Sequence, residues 1–502
     1  MEGKWGAERM RLEEVRNRWG KEKPDEIMVD RLLEEEQQRS RRKIVVLDDD
    51  PTGTQTIHGV SVYTDWSVSS LKRGFEEGNP LFYILTNSRA LSESQTARLH
   101  RELTHHLVKA ARETSREFLL LSRSDSTLRG HYPLETEQIR QALEQETAVS
   151  IDGEILFPFF QEGGRITVDN IHYAEENGRL VPAAETEFAR DPTFGYQSSN
   201  LCDYIEEKTH GRYLAEDTIS ISLESLRRLE IGRINSALCS VHDFGKIVVN
   251  AVDYIDAKVF CIALFRAMAA GRHYLIRCAA SFVKTIGGIP TKPLLTRREL
   301  IKEDPPVGGL VVIGSYTDKT TEQMEQLKKA RQVHFIEFPA DCVLRSADLK
   351  QEIIRIAGQA EDIIREKQTA VLFTSRKLLT VPGDGKKDIL ARSVQISEAL
   401  CGIVKRLQAP PGFLLTKGGI TSSDIAVKAL GVRKAKVLGQ IRPGIPVWET
   451  DSGSLYLGVP YIIFPGNVGT KDTLYDIIRI LQGEMGEEEP HCPENTGRRY
   501  KS

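Results

Sequence analysis

The sequence lacks the signals of secretion and of membrane insertion. No stretch approaches the roughly 18 uninterrupted apolar residues of a membrane-spanning helix. The N-terminal segment, MEGKWGAERMRLEEVRNRWG, is charged throughout, whereas a secretory signal peptide requires an apolar core. These absences predict a soluble, cytoplasmic protein that works without a membrane partner.

Cysteine and histidine are too sparse and too widely spaced to form the common disulfide or metal motifs. The seven cysteines stand at least seventeen residues apart, so there is no Cys-x-x-Cys pair. Their odd number and scatter suit reduced thiols of a cytosolic protein better than a disulfide framework. The eleven histidines include no His-Glu-x-x-His motif. We therefore expect no dedicated metal site.

Motifs of several other protein classes are also absent. The chain has no Gly-x-Ser-x-Gly elbow of the serine hydrolases and no Walker phosphate loop. A dehydrogenase is disfavoured because no Gly-x-Gly-x-x-Gly follows the first strand-like segment. Net charge is −3, from 68 basic and 71 acidic residues, so no overall field would concentrate a nucleic acid. We expect no nucleic-acid partner.

The chain instead alternates short apolar runs with helical segments over most of its 502 residues. This alternation is typical of mostly parallel sheets flanked by helices. The sequence predicts an α/β protein with a charged helical extension (1–42), an N-terminal domain (43–290), a C-terminal domain (305–482) and a disordered tail (483–502). The strand-like runs are Ile44–Leu47, Leu81–Leu85, Phe118–Leu121, Gly309–Ile313, Val333–Phe338, Ala370–Phe373, Gly412–Leu415 and Tyr461–Phe464.

A first polar loop, Asp48–Thr56, follows the first strand directly. Its three consecutive carboxylates repel one another, so a cation, a ligand hydroxyl or backbone donors must neutralise them. Gly53 permits a close approach of the backbone to a ligand. An acidic turn that caps a helix explains the same residues equally well. Spacing alone leaves both interpretations open.

A second polar loop, Ser122–His131, follows the third strand. It brings together Asp125, several hydroxyls, a glycine and the guanidinium groups of Arg123 and Arg129. A guanidinium can bind a carboxylate or a phosphate through two parallel hydrogen bonds. Taken singly, such a loop is more often a solvated surface with an ion pair. Polar loops at two neighbouring strand ends nevertheless favour a site.

Three glycine turns in the C-terminal part each stand between a strand and a helical segment. Backbone amides that glycines leave open suit the binding of phosphate. Each turn on its own is more simply a glycine turn into a capped helix, with Thr421 or Ser422 as the N-cap of one of them. Three such turns in one domain favour a nucleotide pocket. They are Ile313–Thr320, Leu415–Leu430 and Phe464–Asp472.

The order and spacing of these motifs resemble the four-carbon acid sugar kinase family over most of residues 43–480. The resemblance implies an N-terminal sugar-acid domain, a C-terminal ATP domain and an active site in the cleft between them. It implies an ATP-dependent kinase, with Mg²⁺ accompanying the nucleotide, that phosphorylates a hydroxyl of threonate, erythronate or a 3-oxo-tetronate. The matching motifs are Asp49-Asp50-Pro51-Thr52-Gly53, Asp125-Ser126-Thr127-Leu128-Arg129-Gly130, the segment 158–192, Gly314-Ser315, Gly418-Gly419-Ile420-Thr421 and Gly466-Asn467-Val468-Gly469.

The resemblance also suggests roles for these residues. Arg129 is expected to bind the substrate carboxylate, and one carboxylate among Asp49, Asp50 and Asp125 is expected to accept the proton of the attacking hydroxyl. The remaining expected contacts are Thr52, Gly53, Ser126, Thr127 and Arg165 with the substrate, and Ser315, Gly418, Gly419, Ile420, Thr421, Gly466, Asn467 and Gly469 with ATP.

The chain departs from the family pattern at Thr54-Gln55-Thr56, at Ser124 and at Phe464, the last being a position where many relatives have lysine. These departures concern substrate choice and one phosphate contact, so the identity of the acid stays open. The alternative function is a non-catalytic protein that binds a nucleotide and a sugar acid. The number of chains that assemble also stays open, a homodimer being one alternative.

Overall fold

The structure is a computed structural model, and some parts of the chain are outside what it describes. The first ten residues of the predicted extension, Asn467, and the predicted tail beyond residue 484 lie outside the described residues. No helix in the described part is long and apolar enough to cross a membrane. The described residues are 11–20, 23–176, 178–301, 308–315, 317–376, 379, 386–466 and 468–484.

Strands form where the sequence has short, continuous apolar runs. Strand β1, Lys43–Asp48, is buried along its whole length, which suits a strand that is covered on both faces. The strands that follow β1 are β2 Ser61–Tyr63, β3 Leu81–Leu85, β4 Phe118–Arg123, β5 Gly153–Phe157, β6 Arg165–Val168, β7 Ile171–Glu176, β8 Arg179–Pro182, β9 Ile219–Ile221, β10 Gly245–Val249, β11 Tyr274–Cys278, β12 Leu310–Ile313, β13 Val333–Phe338, β14 Thr369–Thr374, β15 Leu414–Lys417, β16 Lys434–Arg442, β17 Ile445–Thr450 and β18 Pro460–Phe464.

Helices connect most of the parallel strands and cover the sheet. The first helix after the two of the extension follows Ser67, whose hydroxyl accepts a hydrogen bond from the amide of Ser70, as expected of an N-cap. The helices are α1 Leu12–Gly20, α2 Glu26–Arg39, α3 Val68–Glu76, α4 Glu93–Glu113, α5 Leu134–Thr147, α6 Leu201–Lys208, α7 Leu223–Arg227, α8 Ile231–Cys239, α9 Tyr254–Ala269, α10 Ala280–Ile286, α11 Arg297–Leu300, α12 Asp318–Leu327, α13 Ser346–Arg365, α14 Lys386–Val404, α15 Gly419–Asp424 and α16 Thr473–Gln482.

One mostly parallel sheet runs through both halves of the described chain. Its order is β13-β14-β12-β15-β18-β17-β16-β2-β3-β1-β4-β11-β5-β10-β9. All pairs from β2 to β9 in this order are parallel, and so are those from β13 to β18. Strands β17 and β16 pair antiparallel and lie between the two parallel blocks. The predicted two-domain α/β architecture is confirmed.

The two halves share a seam that the sequence does not reveal. Strand β2 pairs antiparallel with β16, placing Val62 opposite Ala435. Beyond this pairing, the amide of Gly59 donates to the carbonyl of Val437 at 2.7 Å. An unpaired edge on either strand would expose a row of backbone donors and acceptors, and the pairing removes that cost. The two domains therefore have one continuous sheet rather than two separate ones.

The N-terminal extension packs on the first half. Helix α9 is apolar on nearly all sides, so it needs cover on its outer face as well as on its sheet face. Helix α2 provides that cover, and its Asp30 pairs with Lys258 of α9 at 2.6 Å, while Glu36 pairs with Arg266 at 2.8 Å. The extension thus covers the outer face of α9.

Candidate active site

The acidic turn after β1 is buried. Asp48 is 1% exposed, and its Oδ1 accepts a hydrogen bond of 2.9 Å from Nη1 of Arg123 at the end of β4. Burial raises the pKa of Asp48 to about 7, although the charge of Arg123 lowers it. A Cβ on Gly53 would overlap this carboxylate, so glycine is required there by the close approach. The turn is therefore fixed by the bond between Asp48 and Arg123 and by the close approach of Gly53 to Asp48.

Arg89, which follows β3, holds the other two carboxylates of the turn. Its Nη2 and Nε donate to the two oxygens of Asp49 at 2.6 and 3.2 Å, and its Nη1 lies 3.4 Å from Oδ2 of Asp50. Burial lowers the pKa of Arg89, but the charges of Asp49 and Asp50 outweigh burial and raise it well above its ordinary value. Arg89 is thus a charged clamp. Sequence reasoning missed it, and the available signal was its place just beyond β3, at the same sheet edge as the two polar loops.

Asp50 caps a short helical turn and also faces the other half of the protein. Its Oδ1 accepts a 2.8 Å hydrogen bond from the amide of Thr52, so it does cap the short helical turn Pro51–Thr54. Its Oδ2 faces the other half of the protein, because a Cβ on Gly419 would overlap that atom and would stand 3.0 Å from Cγ of Asp50. Asp50 therefore lies directly against a glycine turn of the C-terminal half.

The loop after β4 brings Asp125 and Arg129 together. Nε of Arg129 donates to Oδ2 of Asp125 at 2.7 Å, and the hydroxyl of Thr127 donates to the same oxygen. Burial on its own raises the pKa of Asp125, but the charges of Arg129 and Arg89 and these hydrogen bonds hold it well below its usual range. Asp125 is thus an ionised anchor for Arg129.

A second guanidinium lies beside this pair. Cζ of Arg129 and Cζ of Arg165 are 4.9 and 6.0 Å from the ring centroid of Phe188. The buried Nε of Arg165 has no hydrogen-bond partner among the described residues. Asp125 forms an ion pair with Arg129, whereas none of the nearby acidic side chains Asp125, Glu175 and Glu176 forms one with Arg165. Guanidinium groups of this kind suit a carboxylate ligand.

Buried side chains from outside the loop fix its backbone. Nε2 of His172 faces a carbonyl and therefore carries the proton, and burial lowers the pKa of His172 to about 4. Leu128 has φ +68°, which a leucine rarely adopts without such support. Three hydrogen bonds to backbone carbonyls hold the loop. Nε2 of His172 donates to the carbonyl of Ser126 at 2.7 Å, the hydroxyl of Tyr196 donates to the carbonyl of Thr127 at 2.9 Å, and the hydroxyl of Tyr204 donates to the carbonyl of Leu128 at 3.0 Å.

Glycine turns of the C-terminal half meet around Ser315. A Cβ on Gly466 would stand 3.2 Å from Oγ of Ser315, and one on Gly418 would stand 3.3 Å from Cβ of Ser315. A Cβ on Gly314 would overlap Oγ1 of Thr421. Gly418 has φ +114°, a conformation that favours glycine. The structure thus brings Ser315, Gly418, Thr421 and Gly466 together.

The other residues predicted to bind the nucleotide are placed less closely. Helix α15 begins at Gly419, so the alternative in which Thr421 or Ser422 is its N-cap is wrong. The side chain of Ile420 is 49% exposed. Gly469, with φ +83°, lies in a turn that the hydroxyl of Thr473 closes by accepting from the amide of Thr470 at 2.8 Å.

Residues of the acidic turn also tie the halves together. Nε1 of the buried Trp448 donates to the hydroxyl of Thr54 at 2.9 Å, and Nε2 of Gln55 donates to the carbonyl of Gly444 at 3.2 Å. Two of the three positions that depart from the family pattern here are therefore inter-half contacts. The hydroxyl of Thr56 instead donates to the carbonyl of Ala280 within the first half, at 2.9 Å.

Metal ligands of the usual kinds do not cluster in the described part of the chain. No group of three or more His, Cys, Asp or Glu side chains is placed there to hold an ion. The six cysteines in this part are free thiols, and five of them are buried.

Family models match both halves of the chain. A model described as a sugar-binding N-terminal domain matches residues 44–286, and one described as a nucleotide-binding C-terminal domain matches residues 310–474. No match is found among curated proteins.

Solved structures share the fold. A Salmonella typhimurium LT2 protein, provisionally named a tRNA synthase, is 14% identical with a TM-score of 0.60, and the alignment covers 86% of this chain and 98% of that one. Haemophilus influenzae protein HI1011 is 17% identical with a TM-score of 0.54, and the alignment covers 87% and 99%. At these identities the similarity establishes the fold alone. The two domain matches, which together span most of the sequence in the predicted order, establish more: the chain belongs to the four-carbon acid sugar kinase family.

Proposed function

We propose that the protein is an ATP-dependent kinase that phosphorylates a hydroxyl of a four-carbon or similar sugar acid, such as threonate, erythronate or a 3-oxo-tetronate. The observation that carries the proposal is the approach of the Asp50 carboxylate to Gly419. It places the acidic and arginine-bearing turns of the sugar-binding half beside the glycine turns of the nucleotide-binding half. Phosphoryl transfer depends mainly on such positioning and on charge neutralisation.

Asp50 is the best candidate for the base among the three aspartates considered. Asp49 is held through both oxygens by Arg89, and Asp125 is bound to Arg129 and Thr127. Asp50 has one oxygen on the amide of Thr52, and its other oxygen, which Arg89 contacts only at 3.4 Å, is turned towards Gly419. A base must reach the hydroxyl and lie near the phosphate that this hydroxyl attacks, and Asp50 meets both conditions.

The acid would bind at the other end of the cluster. Nε of Arg129 is fixed by Asp125, so the Nη groups of Arg129 and the guanidinium group of Arg165 would bind the carboxylate of the acid. Thr52, Gly53, Ser126 and Thr127 lie in the two loops that surround this cluster and would contribute the remaining substrate contacts.

ATP would bind across the turns of the C-terminal half. Ser315, Gly418, Thr421 and Gly466 already converge, and the cradle has no room for a Cβ at either of these glycines without displacing Ser315. Gly419, Ile420 and Gly469 extend this surface. Mg²⁺ would accompany the phosphates and neutralise their charge, with Asp50 as the nearest carboxylate to Gly419.

In the proposed reaction, the substrate hydroxyl oxygen forms a bond to the terminal phosphorus of ATP, and the bond from that phosphorus to the bridging oxygen breaks. ADP leaves with the electron pair, and the hydroxyl proton passes to Asp50. Arg89, which contacts Asp50, keeps the carboxylate in place during the transfer.

A coupled assay of ADP release tests the proposal, with threonate and erythronate isomers, 3-oxo-tetronates and branched sugar acids as candidate acceptors. We expect acid-dependent ADP release with at least one of them, abolished to a background rate in Asp50→Asn. Asp243→Asn, at a surface carboxylate that is 96% exposed, is the matched control and should keep full activity. Nucleotide binding with no ADP release for any acid would contradict the proposal.

A further inference from the structure

Lys417, the last residue of β15, is a buried lysine at the point where the glycine turns meet. Its side chain is 0% exposed. Nζ donates to the carbonyl of Pro465 at 3.1 Å and lies 3.7 Å from the ring centroid of Phe464. The sequence motifs predict no role for Lys417.

The backbone of Lys417 connects the same turns. Its carbonyl accepts hydrogen bonds from the amides of Gly314 at 3.2 Å and Ser315 at 3.3 Å. The next residue, Gly418, donates its own amide to the carbonyl of Phe464 at 2.9 Å. Lys417 therefore touches the first turn through its carbonyl, the third through its ammonium group, and opens the second.

The charge of Lys417 is not balanced in the way that the charge of the buried Lys246 is. Lys246, also buried, lies 2.5 Å from a carboxylate oxygen of Glu154. No carboxylate of the described residues forms an ion pair with Lys417, whose hydrogen bond goes to a neutral carbonyl. Burial, followed by the positive charges of Lys319 and Arg376, holds the pKa of Lys417 well below its ordinary range. A buried ammonium group with cationic neighbours is costly unless an anion joins it.

We propose that Lys417 is a positioning residue for the phosphate chain of the nucleotide: its carbonyl and its ammonium group hold the first and third glycine turns beside the second, and its charge favours the anion that the turns receive. This inference rests on the proposed function, since it requires that these turns bind a nucleotide. Phe464 has a part in it, because the face of its ring stabilises the ammonium group.

The test compares nucleotides that differ only in the number of phosphates. Binding of AMP, ADP and ATP is measured by calorimetry for the full chain, for Lys417→Met and for Lys417→Gln. We expect Lys417→Met to weaken ADP and ATP binding at least about 10-fold and AMP binding less than about 3-fold, because the lost charge acts on the phosphates. Its melting temperature should stay equal or rise, since removal of an unbalanced buried charge is not destabilising.

Lys417→Gln separates the two parts of the role and serves if the methionine variant does not fold. Its amide can still donate to the carbonyl of Pro465 but carries no charge, so ADP and ATP binding should remain weak. Lys350→Met is the control, because this lysine is exposed on α13, away from the three glycine turns in sequence. Its nucleotide affinities should equal those of the unaltered protein.

The outcomes distinguish the inference from the function on which it rests. If the unaltered protein binds no nucleotide, the proposed function fails. If it binds ADP and ATP but the methionine and glutamine variants bind them as tightly, the inference about Lys417 is wrong. An equal loss for AMP, ADP and ATP together with a lower melting temperature would also overturn it, because it would indicate a purely structural role.

Discussion

Gly419→Ala tests the contact between the two halves most directly. The backbone of Gly419 is not in the left-handed region, so alanine adds no backbone strain of its own. Its Cβ would overlap Oδ2 of Asp50, and would stand 3.0 Å from Cγ and 3.2 Å from Oδ1 of the same side chain. Either the carboxylate or the turn must therefore move.

The size of that movement follows from ordinary contact distances. Heavy atoms in contact stand about 3.5–4.0 Å apart, so Cγ of Asp50 must retreat by about 0.5–1 Å and the overlapping Oδ2 by more than about 1 Å. It cannot simply rotate away, because the amide of Thr52 and Nη1 of Arg89 hold its two oxygens. A displacement of about 1 Å at a reacting group can lower the rate roughly 100-fold. Overpacking of this kind costs about 1–3 kcal/mol of stability.

Two measurements check this expectation. The rate of acid-dependent ADP release should fall about 100-fold in Gly419→Ala. Urea unfolding should show the stability loss with Asp50 present and a smaller loss in the Asp50→Ala background, because the overlapping atoms are then gone. Gly358→Ala is the control, since no atom lies within 4 Å of a Cβ there and the residue is inside α13. Alanine at that helical position should be neutral or stabilising.

Two results would contradict the expectation for Gly419→Ala. If Gly419→Ala keeps its rate within about threefold of the unaltered protein, the positioning argument fails. If, in addition, its stability cost is the same with and without the Asp50 carboxylate, the two groups are not in contact, and the cleft is not assembled as described.

Three further predictions concern the charged residues of the cluster. Arg129→Ala should lower kcat/KM for the acid by an amount worth about 2–4 kcal/mol, and an unchanged value would remove Arg129 from the site. Arg89→Ala leaves buried carboxylates without their guanidinium and should lower the free energy of unfolding in urea by about 3–5 kcal/mol; a loss below about 1 kcal/mol would show that Arg89 is no clamp. The pKa of Asp48 is raised to about 7 in the folded state, above roughly 3.9 in the unfolded chain, so the folded state binds more protons between these values. The contribution of Asp48 to stability is thus fully present below about pH 4 and is lost as pH rises through about 7, and Asp48→Asn should flatten the urea stability profile over this range. Parallel profiles for the two proteins would contradict the assignment.

The sequence predicts the parallel strands well and the connection between the halves poorly. Leu81–Leu85 and Val333–Phe338 have the predicted bounds, because continuous apolar runs that end in polar loops leave few alternatives. Strand β2 has only three residues, too few for a periodicity to show. Its pairing with β16 joins residues that are far apart in sequence, so no local pattern could reveal the seam.

The candidate site shows the same division. The pairing of Asp125 with Arg129, four residues apart in one loop, follows from the motif itself. Arg89 could not be assigned, because its importance depends on the parallel pairing of β1 with β3, which brings its turn beside Asp49. Lys417 reads as the polar end of a strand, and only the packing of β15 against β18 places its ammonium group over Phe464. Contacts that depend on the pairing of distant strands could not be read from the sequence, whereas a contact within one motif could.

The three consecutive aspartates after β1 illustrate why composition alone could not settle the chemistry. Asp48 is bound by Arg123 beneath the turn, Asp49 is clamped by Arg89, and Asp50 reaches the nucleotide-binding half. Two of the carboxylates are thus committed to guanidinium groups, and these cations allow a third acidic group to be placed where a triphosphate must approach. Without them, the negative charge of the turn would repel ATP as strongly as it attracts the proton of a hydroxyl. In the proposed reaction, Arg123 and Arg89 would thus balance the acidic charge of Asp48 and Asp49, and Arg129 and Lys417 would supply positive charge for the two anionic substrates.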